Sequence, residues 1–512
     1  MKGHTKFALG LLIVGVLSLI IAKVVHTQWQ DNKLFSLTDA GSSKGKITIG
    51  IDNWIGYFPL CSPVMKRRLY QQGYLLECIE DQGDYEQRLE ALNTGSLDMA
   101  VATVDSYLIN GQKTQYPGTI IAVLDESKGG DALLAWTDKI ATLDDLRKNK
   151  TAKIAFTPNS PSDYLLKTIA VHFDINHLKQ RQNWPVLTRG SEDALQRLLN
   201  KDVDAAVLWQ PDVSKALAQT GIHLLLSTEQ TQQLIVDVLM AGKEMIQNKP
   251  DVISLLLTEY FHTLKYYRDN QSELLTDVKE LTKLEDKAVK SLLKGVQWQG
   301  LTENAHKWFG TVAVNGLPEQ ELIETIHASI AIFIDYGSIT TSPLINNDPY
   351  RIISSHFIAE VYQKLGLPNV MVALETHQFT PLTDEQWQNL QHVGKLKIRP
   401  VIFASGADHL TLNDKMQLDV AGKTLKHYPN FRILVKGHTS VRGDTSLNKI
   451  LSQDRADAVA RYLRITHDIP AQRMKAIGYG GEQPLTQYPA ESRRAYHYRL
   501  PRVELILVAD KF

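Results

Sequence analysis

Cysteine is almost missing from this chain: two residues in 512. Two thiols cannot build a disulfide scaffold, a four-thiolate zinc site or a cysteine-ligated cluster. An excess of one charge is missing as well, since Lys plus Arg and Asp plus Glu each number 56. That excludes a polybasic nucleic-acid binder and an acidic disordered chain, so no nucleic-acid partner is expected. Low-complexity tracts and repeats of 20–50 residues are not evident, and 31 Gly with 19 Pro is ordinary usage. No Ser-His-Asp order, His-Glu-x-x-His motif or paired-carboxylate cluster stands out, and the 16 histidines are scattered. The glycine run at 478–481 lacks the Gly-Lys-Ser/Thr ending of a phosphate loop. The expectation is a protein that is not an enzyme and carries no metal or cofactor.

A hydrophobic content of 43% over 512 residues fits two to four domains, each with its own core. One long apolar run adds a membrane. Phe7 to Ala22 carry no charge, Val24 and Val25 extend the run, and Lys2, His4 and Lys6 precede it. At about 1.5 Å per residue such a stretch spans a hydrocarbon core. The residues just beyond it, Lys23-Val-Val-His, offer no small-x-small cleavage site. The reading is an uncleaved signal anchor over 6–25, with a cleaved signal as rival. The protein is then single-pass in the inner membrane with its bulk in the periplasm. The span lacks the buried carboxylate of a proton-driven stator. Residues 26–45 are polar and small, a tether.

From Lys46 a β/α alternation begins. KITIGI, YLLECIE, LDMAVATVDS, TIIAVLDES, ALLAWT, AKIAFT and VDAAVLWQP read as strands, with helices among them. Thr142 with Asp145 predicts a helix N-terminus. Residues 240–335 are mostly helical. The segments ITIGIDNWIGYFPL, LEALNTGSLDMAVATVDSY, VLDESKGGDALLA, KIAFTPNSPSDYLL and DVDAAVLWQPDVSKAL, in this order, carry a resemblance. The chain resembles periplasmic substrate-binding proteins of the nitrate/sulfonate/taurine group, which includes thiamine-precursor binders. The resemblance implies two α/β lobes over 46–365, lobe two at about 141–225, closing on a small ligand. Family members that build a pyrimidine use a cysteine-rich motif that two isolated cysteines do not supply. A disulfide between Cys61 and Cys78 is left open.

Ligands of open α/β sheets sit beyond the carboxyl ends of strands. Those ends carry Trp54, Tyr57, Thr103, Ser106, Ser127, Gly129, Gly130, Ser160, Ser162 and Trp209. Hydroxyls, glycines and helix N-termini suit an anion or a zwitterion, and the aromatic rings suit an organic part. Plainer readings stand beside these: Ser160 and Ser162 as helix caps, Gly129-Gly130 as a turn, Trp209 as core. Asp131 and Asp212 hold a ligand amine, or else cap and solvate.

Residues 366–392 mix Pro, Thr and Gln and read as a linker. Beyond it LKIRPVIFASG, FRILVKGH, MKAIGYG and RVELILV read as strands, with helices at LNDKMQLDVAGKTLKHYP and SLNKILSQDRADAVARYLRITH. Gly437-His438-Thr439, Asn448, Leu451-Ser452 and Arg455-Ala456 are the strongest motif in the chain. Residues 393–510 resemble an OmpA-like peptidoglycan-associating domain, an α/β sandwich. The resemblance implies a grip on the stem peptide by His438, Thr439, Ser440, Asn448, Leu451, Arg455 and Arg502. The family's Asp after Gly-His-Thr is Ser440 here, and only Asp444 lies near in sequence. Residues 426–512 hold 15 Lys/Arg against 8 Asp/Glu, a surplus that favours an anionic partner.

The expected protein is a membrane-anchored periplasmic solute-binding protein tied to peptidoglycan. Its partners would be a small anion or zwitterion, the stem peptide, the inner membrane and an ABC-type permease, in uptake or sensing. The alternative is an envelope scaffold whose binding fold docks other proteins.

Overall fold

A computed structural model describes residues 44–81, 83–312, 319–365, 379–397, 401, 403 and 409–510. The anchor expected over 6–25 lies outside them. No helix among the described residues is long and apolar enough to cross a membrane.

The chain enters through β1 (Gly45–Ile51), β2 (Tyr74–Glu80), β3 (Met99–Thr103) and β4 (Gly118–Ser127). It then builds a second sheet from β5 (Asp131–Trp136), β6 (Ile154–Phe156), β7 (Pro185–Leu187), β8 (Ala205–Trp209) and β9 (Ile222–Ser227). It returns to the first sheet with β10 (Val236–Gly242) and β11 (Val296–Trp298). The sheet orders are β11-β4-β10-β3-β1-β2 and β7-β6-β8-β5-β9. β1 pairs parallel with β2 and β3, whereas β10 runs antiparallel between β3 and β4. Every residue of β3, β5 and β10 is buried, as strands covered on both faces must be.

Two lobes result, and the chain crosses between them twice, at residues 128–130 and 228–235. Lobe two therefore starts at Asp131 rather than near 141. β5 ends the first crossing and pairs with β8 and β9, both in the second sheet. Thr142 caps its helix as expected, accepting from the Asp145 amide at 3.1 Å. Cys61 and Cys78 form a disulfide that staples the first helices to β2.

The C-terminal unit is a four-stranded sheet, β12 (Gln391–Lys395), β13 (Arg432–His438), β14 (Met474–Gly478) and β15 (Arg502–Ala509), ordered β12-β15-β13-β14. Helices Leu412–Lys426 and Thr445–Thr466 cover it. Its first described strand is Gln391–Lys395; the LKIRPVIFASG run lies mostly outside the described residues. Part of the expected linker thus belongs to the sheet, and Trp387 packs with Ile506 and Val508 on it.

Candidate functional site

The lobes meet beneath the carboxyl ends of β1, β3 and β4. Trp54 follows β1 and is buried; its Nε1 donates to Asp125 Oδ1 at 3.0 Å. Its ring lies so close to Gly130 that an added Cβ would sit 2.1 Å from it. Gly130 is glycine because the indole fills the place of a side chain, and Gly129 is glycine because its φ is +101°. The plain-turn reading of this pair is therefore incomplete: it is the first crossing and it carries the indole. Thr228, on the second crossing, accepts from the Gly129 and Asp131 amides and bonds the Ser127 hydroxyl at 2.7 Å. Ser127 also donates to Asp131 Oδ2 at 2.7 Å.

The lobes are in contact in this structure. Trp209, half-buried at the end of β8, donates from Nε1 to Asn53 Oδ1 of lobe one at 3.3 Å. Asn110 of lobe one donates to the Asn159 carbonyl at 2.9 Å.

Carboxylates dominate this junction. Asp52 ends β1, Asp105 opens the helix after β3, and Asp131 opens β5 on the far side; all three are buried. Beneath them, Asp125 on β4 and Asp237 on β10 are cross-strand neighbours, under Trp54 and Tyr57. Among the described residues only Asp52 of these has an ion-pair partner: Arg88, fully buried, reaches it at 2.9 Å and also holds Asp81. Burial pushes the carboxyls of Asp105, Asp125 and Asp131 up to about 7. Asp237 rises well above the carboxylate range through burial and then the charge of Asp125. Oxygens of Asp105, Asp125 and Asp237 and the buried Ser162 hydroxyl have no hydrogen-bond partner among the described residues.

Several sequence candidates have plainer roles. Tyr57 is buried and its hydroxyl bonds Asp237. Thr103 caps the Val104–Asn110 helix and donates to Ser106, which in turn reaches Asp105. Ser160 caps the Pro161–His172 helix and donates to the Thr157 carbonyl. Asp212 does not cap its helix, whose N-cap is Pro211; it pairs instead with Lys215 in the first turn.

In the C-terminal unit, β13 lies so close on helix Thr445–Thr466 that a Cβ at Gly437 would meet the Ser452 carbonyl at 1.9 Å. His438 and Thr439 are buried at the end of that strand. His438 stacks on Tyr479 with ring centroids 5.6 Å apart, and burial, then Arg502, hold its pKa down at about 4. Ser440 folds onto its own loop: its hydroxyl accepts from the Arg442 amide at 3.2 Å. Asn448 donates to the Arg442 carbonyl at 2.9 Å, and Leu451 is half-buried beside it. Arg455 is buried, its guanidinium 4.9 Å from the Phe403 ring centroid. Asp444 caps helix Thr445–Thr466 by accepting from the Leu447 amide at 2.9 Å. That bond commits Asp444 to the helix end, so it does not stand in for the missing Asp. Arg502 departs from expectation. It turns inward to Glu504 at 2.6 Å and to the Leu500 and Gln483 carbonyls, so it supports the site without facing a ligand.

Residues 402–497 match the OmpA family. The chain is 33% identical over 112 residues to the peptidoglycan-associated lipoprotein of Legionella pneumophila, 22% of this chain and 61% of that one. It is 32% identical over 85 residues to the peptidoglycan-associated lipoprotein of Rhizobium meliloti, 17% of this chain and 48% of that one. The chain thus spans about half the length of these relatives. The two-lobed region is similar to the periplasmic aliphatic sulphonate binding protein SsuA from Escherichia coli (19% identity, TM-score 0.44, covering 59% of this chain and 95% of that one). It is also similar to the periplasmic nitrate-binding protein NrtA from Synechocystis PCC 6803 (13% identity, TM-score 0.46, 64% and 90%).

Sequence reading missed Asp52, Asp105, Asp125, Asp237, Arg88 and Thr228 at the lobe junction. A signal existed. Asp125 and Asp237 stand inside the apolar runs AVLDES and VDVLM, and a carboxylate within a strand buried on both faces is rare unless it is used. In the OmpA domain the departure at Ser440 was visible, but the inward turn of Arg502 was not.

Proposed function

We propose that this chain is an envelope receptor. Its OmpA domain holds peptidoglycan, and its two lobes close on a small molecule carrying a positively charged nitrogen. The observation that carries the reading is the convergence of Asp52, Asp105 and Asp131 from both lobes, with Arg88 their one ion-pair partner among the described residues. A bare anion entering there would meet carboxylates across a low-dielectric gap, and the repulsion costs far more than in water. An ammonium or protonated ring nitrogen would instead supply the missing charge and donate to the unpartnered oxygens. Of the anion or zwitterion expected from sequence, this keeps the zwitterion and replaces the bare anion by a cation, with Trp209 at the mouth to cover an organic part. Membrane attachment through residues 6–25 and service to an ABC-type permease remain part of the proposal.

A thermal-shift screen of the full chain with matched pairs tests it. Each amine is paired with its hydroxyl isostere, for example taurine with isethionate, and nitrate serves as a bare anion. A ligand of the folded state raises the melting temperature by mass action. The expected result is a shift from one or more amines and none from their isosteres. A shift from isethionate or nitrate, or none from any amine, overturns the ligand class.

A further inference from the structure

The OmpA domain does not stand apart from the two lobes. His427 and Asn430, between helix Leu412–Lys426 and β13, seize the second crossing. The Gln232 amide donates to the His427 carbonyl at 2.8 Å, His427 Nδ1 meets the Gln232 carbonyl at 3.1 Å, and Asn430 donates to the Glu229 carbonyl at 3.0 Å. The same face locks onto lobe two. The Lys397 amide donates to the His172 carbonyl at 2.6 Å, and Arg147 reaches the Lys395 carbonyl at 3.2 Å. Tyr428 places its hydroxyl 2.8 Å from His172 Nδ1 and its ring edge-on to Phe173.

The crossing held in this way is tied to the other one. Lys128 donates to the Thr231 carbonyl at 2.8 Å, and Glu126 of β4 accepts from both Lys128 and the Gln233 amide. Rotation of the lobes bends these two strands, because hinge motion is absorbed by the few residues that connect the moving bodies, and helix Glu321–Tyr336, bonded to Tyr164 and Leu178 of lobe two, moves with it. The wall-binding end is elsewhere. His438 lies at the far end of seven-residue β13, about 20 Å from Arg432 at ~3.3 Å per residue, so docking at the near end leaves it open.

We propose that the OmpA domain regulates the cleft by docking on the inter-lobe crossing, holding the lobes closed when docked and letting them open when released. The proposal rests on the reading of the lobe junction as the ligand site. Acid is the release signal built into the contact. The rings of His172 and His427 stack across the interface with centroids 6.0 Å apart. Burial, then the charge of His427, takes His172 down to about 3, and burial lowers His427. Facing the pair are Lys397 just after β12, Lys423 and Lys426 from helix Leu412–Lys426, and Glu324, His327 and Asp335 from helix Glu321–Tyr336. Tyr428, Tyr164 on the helix of His172, and Glu126 of β4 complete the set. The glutamates oppose the lowering of His427 but do not cancel it. A histidine whose pKa is depressed on docking favours the docked state above its free value near 6.5. Below that pH the released rings take protons that the docked rings refuse. Docking then weakens by up to about tenfold per pH unit per histidine.

Pulsed dipolar spectroscopy on the full chain tests this without any ligand. The native cysteines are joined in the disulfide, so spin labels go on introduced ones. The pair Lys139→Cys with Arg464→Cys, both exposed, reads docking; Gln87→Cys with Lys139→Cys reads lobe closure. On moving from pH 7.5 to pH 5, both distances should lengthen and broaden. In His172→Gln/His427→Gln both should hold their pH 7.5 values. Arg147→Ala, which removes the bond to the Lys395 carbonyl and the ion pair with Asp144 but leaves His172 and His427 in place, should lengthen both at pH 7.5. A docking distance indifferent to pH and to Arg147→Ala overturns the proposal. So does a released domain with an unchanged lobe distance. Failure of the amine screen would leave these distances unaffected, so the two readings fail separately.

Discussion

Asp131 shows at the scale of one residue how function works against stability. Its carboxyl is fully buried and titrates near 7, far above the value of about 4 in an unfolded chain. A group raised on folding stabilises the fold below its unfolded pKa. That contribution is lost as pH rises through the folded value. Without ligand the protein should therefore lose stability between pH 5 and pH 8 through this group. Asp131→Asn keeps an oxygen for Ser127 and removes the titration. It should stabilise the fold by ~1–3 kcal/mol at pH 8, and much less at pH 5, in urea denaturation. Stability equal to wild type at both pH values would show that the carboxyl is not held against a charge cost. Little of this was legible in the sequence. Capping and ligand-binding aspartates look alike there, and only the contrast between exposed Lys215 on Asp212 and unmatched burial on Asp131 separates them.

At the scale of elements the sequence was far more informative. Alternation and apolar runs located most strands of the two lobes, and the capping pattern located the helix at Thr142. The errors share a cause. Lobe two starts ten residues earlier than expected because sheet membership is decided by the partners of β5, which are β8 and β9, and not by local propensity. β12 begins inside the expected linker because Gln391–Lys395 completes the edge of the OmpA sheet against β15. The loop from Ser440 to Asn448 carries the element-level prediction. Ser440 provides a hydroxyl where the family has a carboxylate, and Asp444 is taken by the helix cap. Binding to purified sacculi should therefore tighten about tenfold in Ser440→Asp, the effect of ~1–3 kcal/mol for a charge-assisted hydrogen bond. It should be lost in Arg455→Ala, with folding checked by circular dichroism. No binding by wild type or by Ser440→Asp would remove peptidoglycan as the partner.

At the scale of the whole molecule, three sheets act through two crossings. The OmpA domain grips one crossing and lobe two, and the buried carboxyls gather where the crossings begin. Sequence comparison reveals the parts but not this arrangement, because docking depends on backbone groups such as the Gln232 amide and the His427 carbonyl, which any residue supplies. The ligand class is the claim on which the rest depends, and proton exchange reads it directly. Carboxyls that titrate near 7 are half-protonated at neutral pH, and a bound cation must drive those protons off. Calorimetric titration of the full chain at pH 7 with the best amine of the screen, in two buffers of different ionisation enthalpy, measures that release. The expected result is net release of up to about one proton per ligand, reduced in Asp131→Asn, with affinity rising from pH 6 to pH 8. Binding with no proton release, or with proton uptake, would contradict a cationic ligand held by the carboxylates of the cleft.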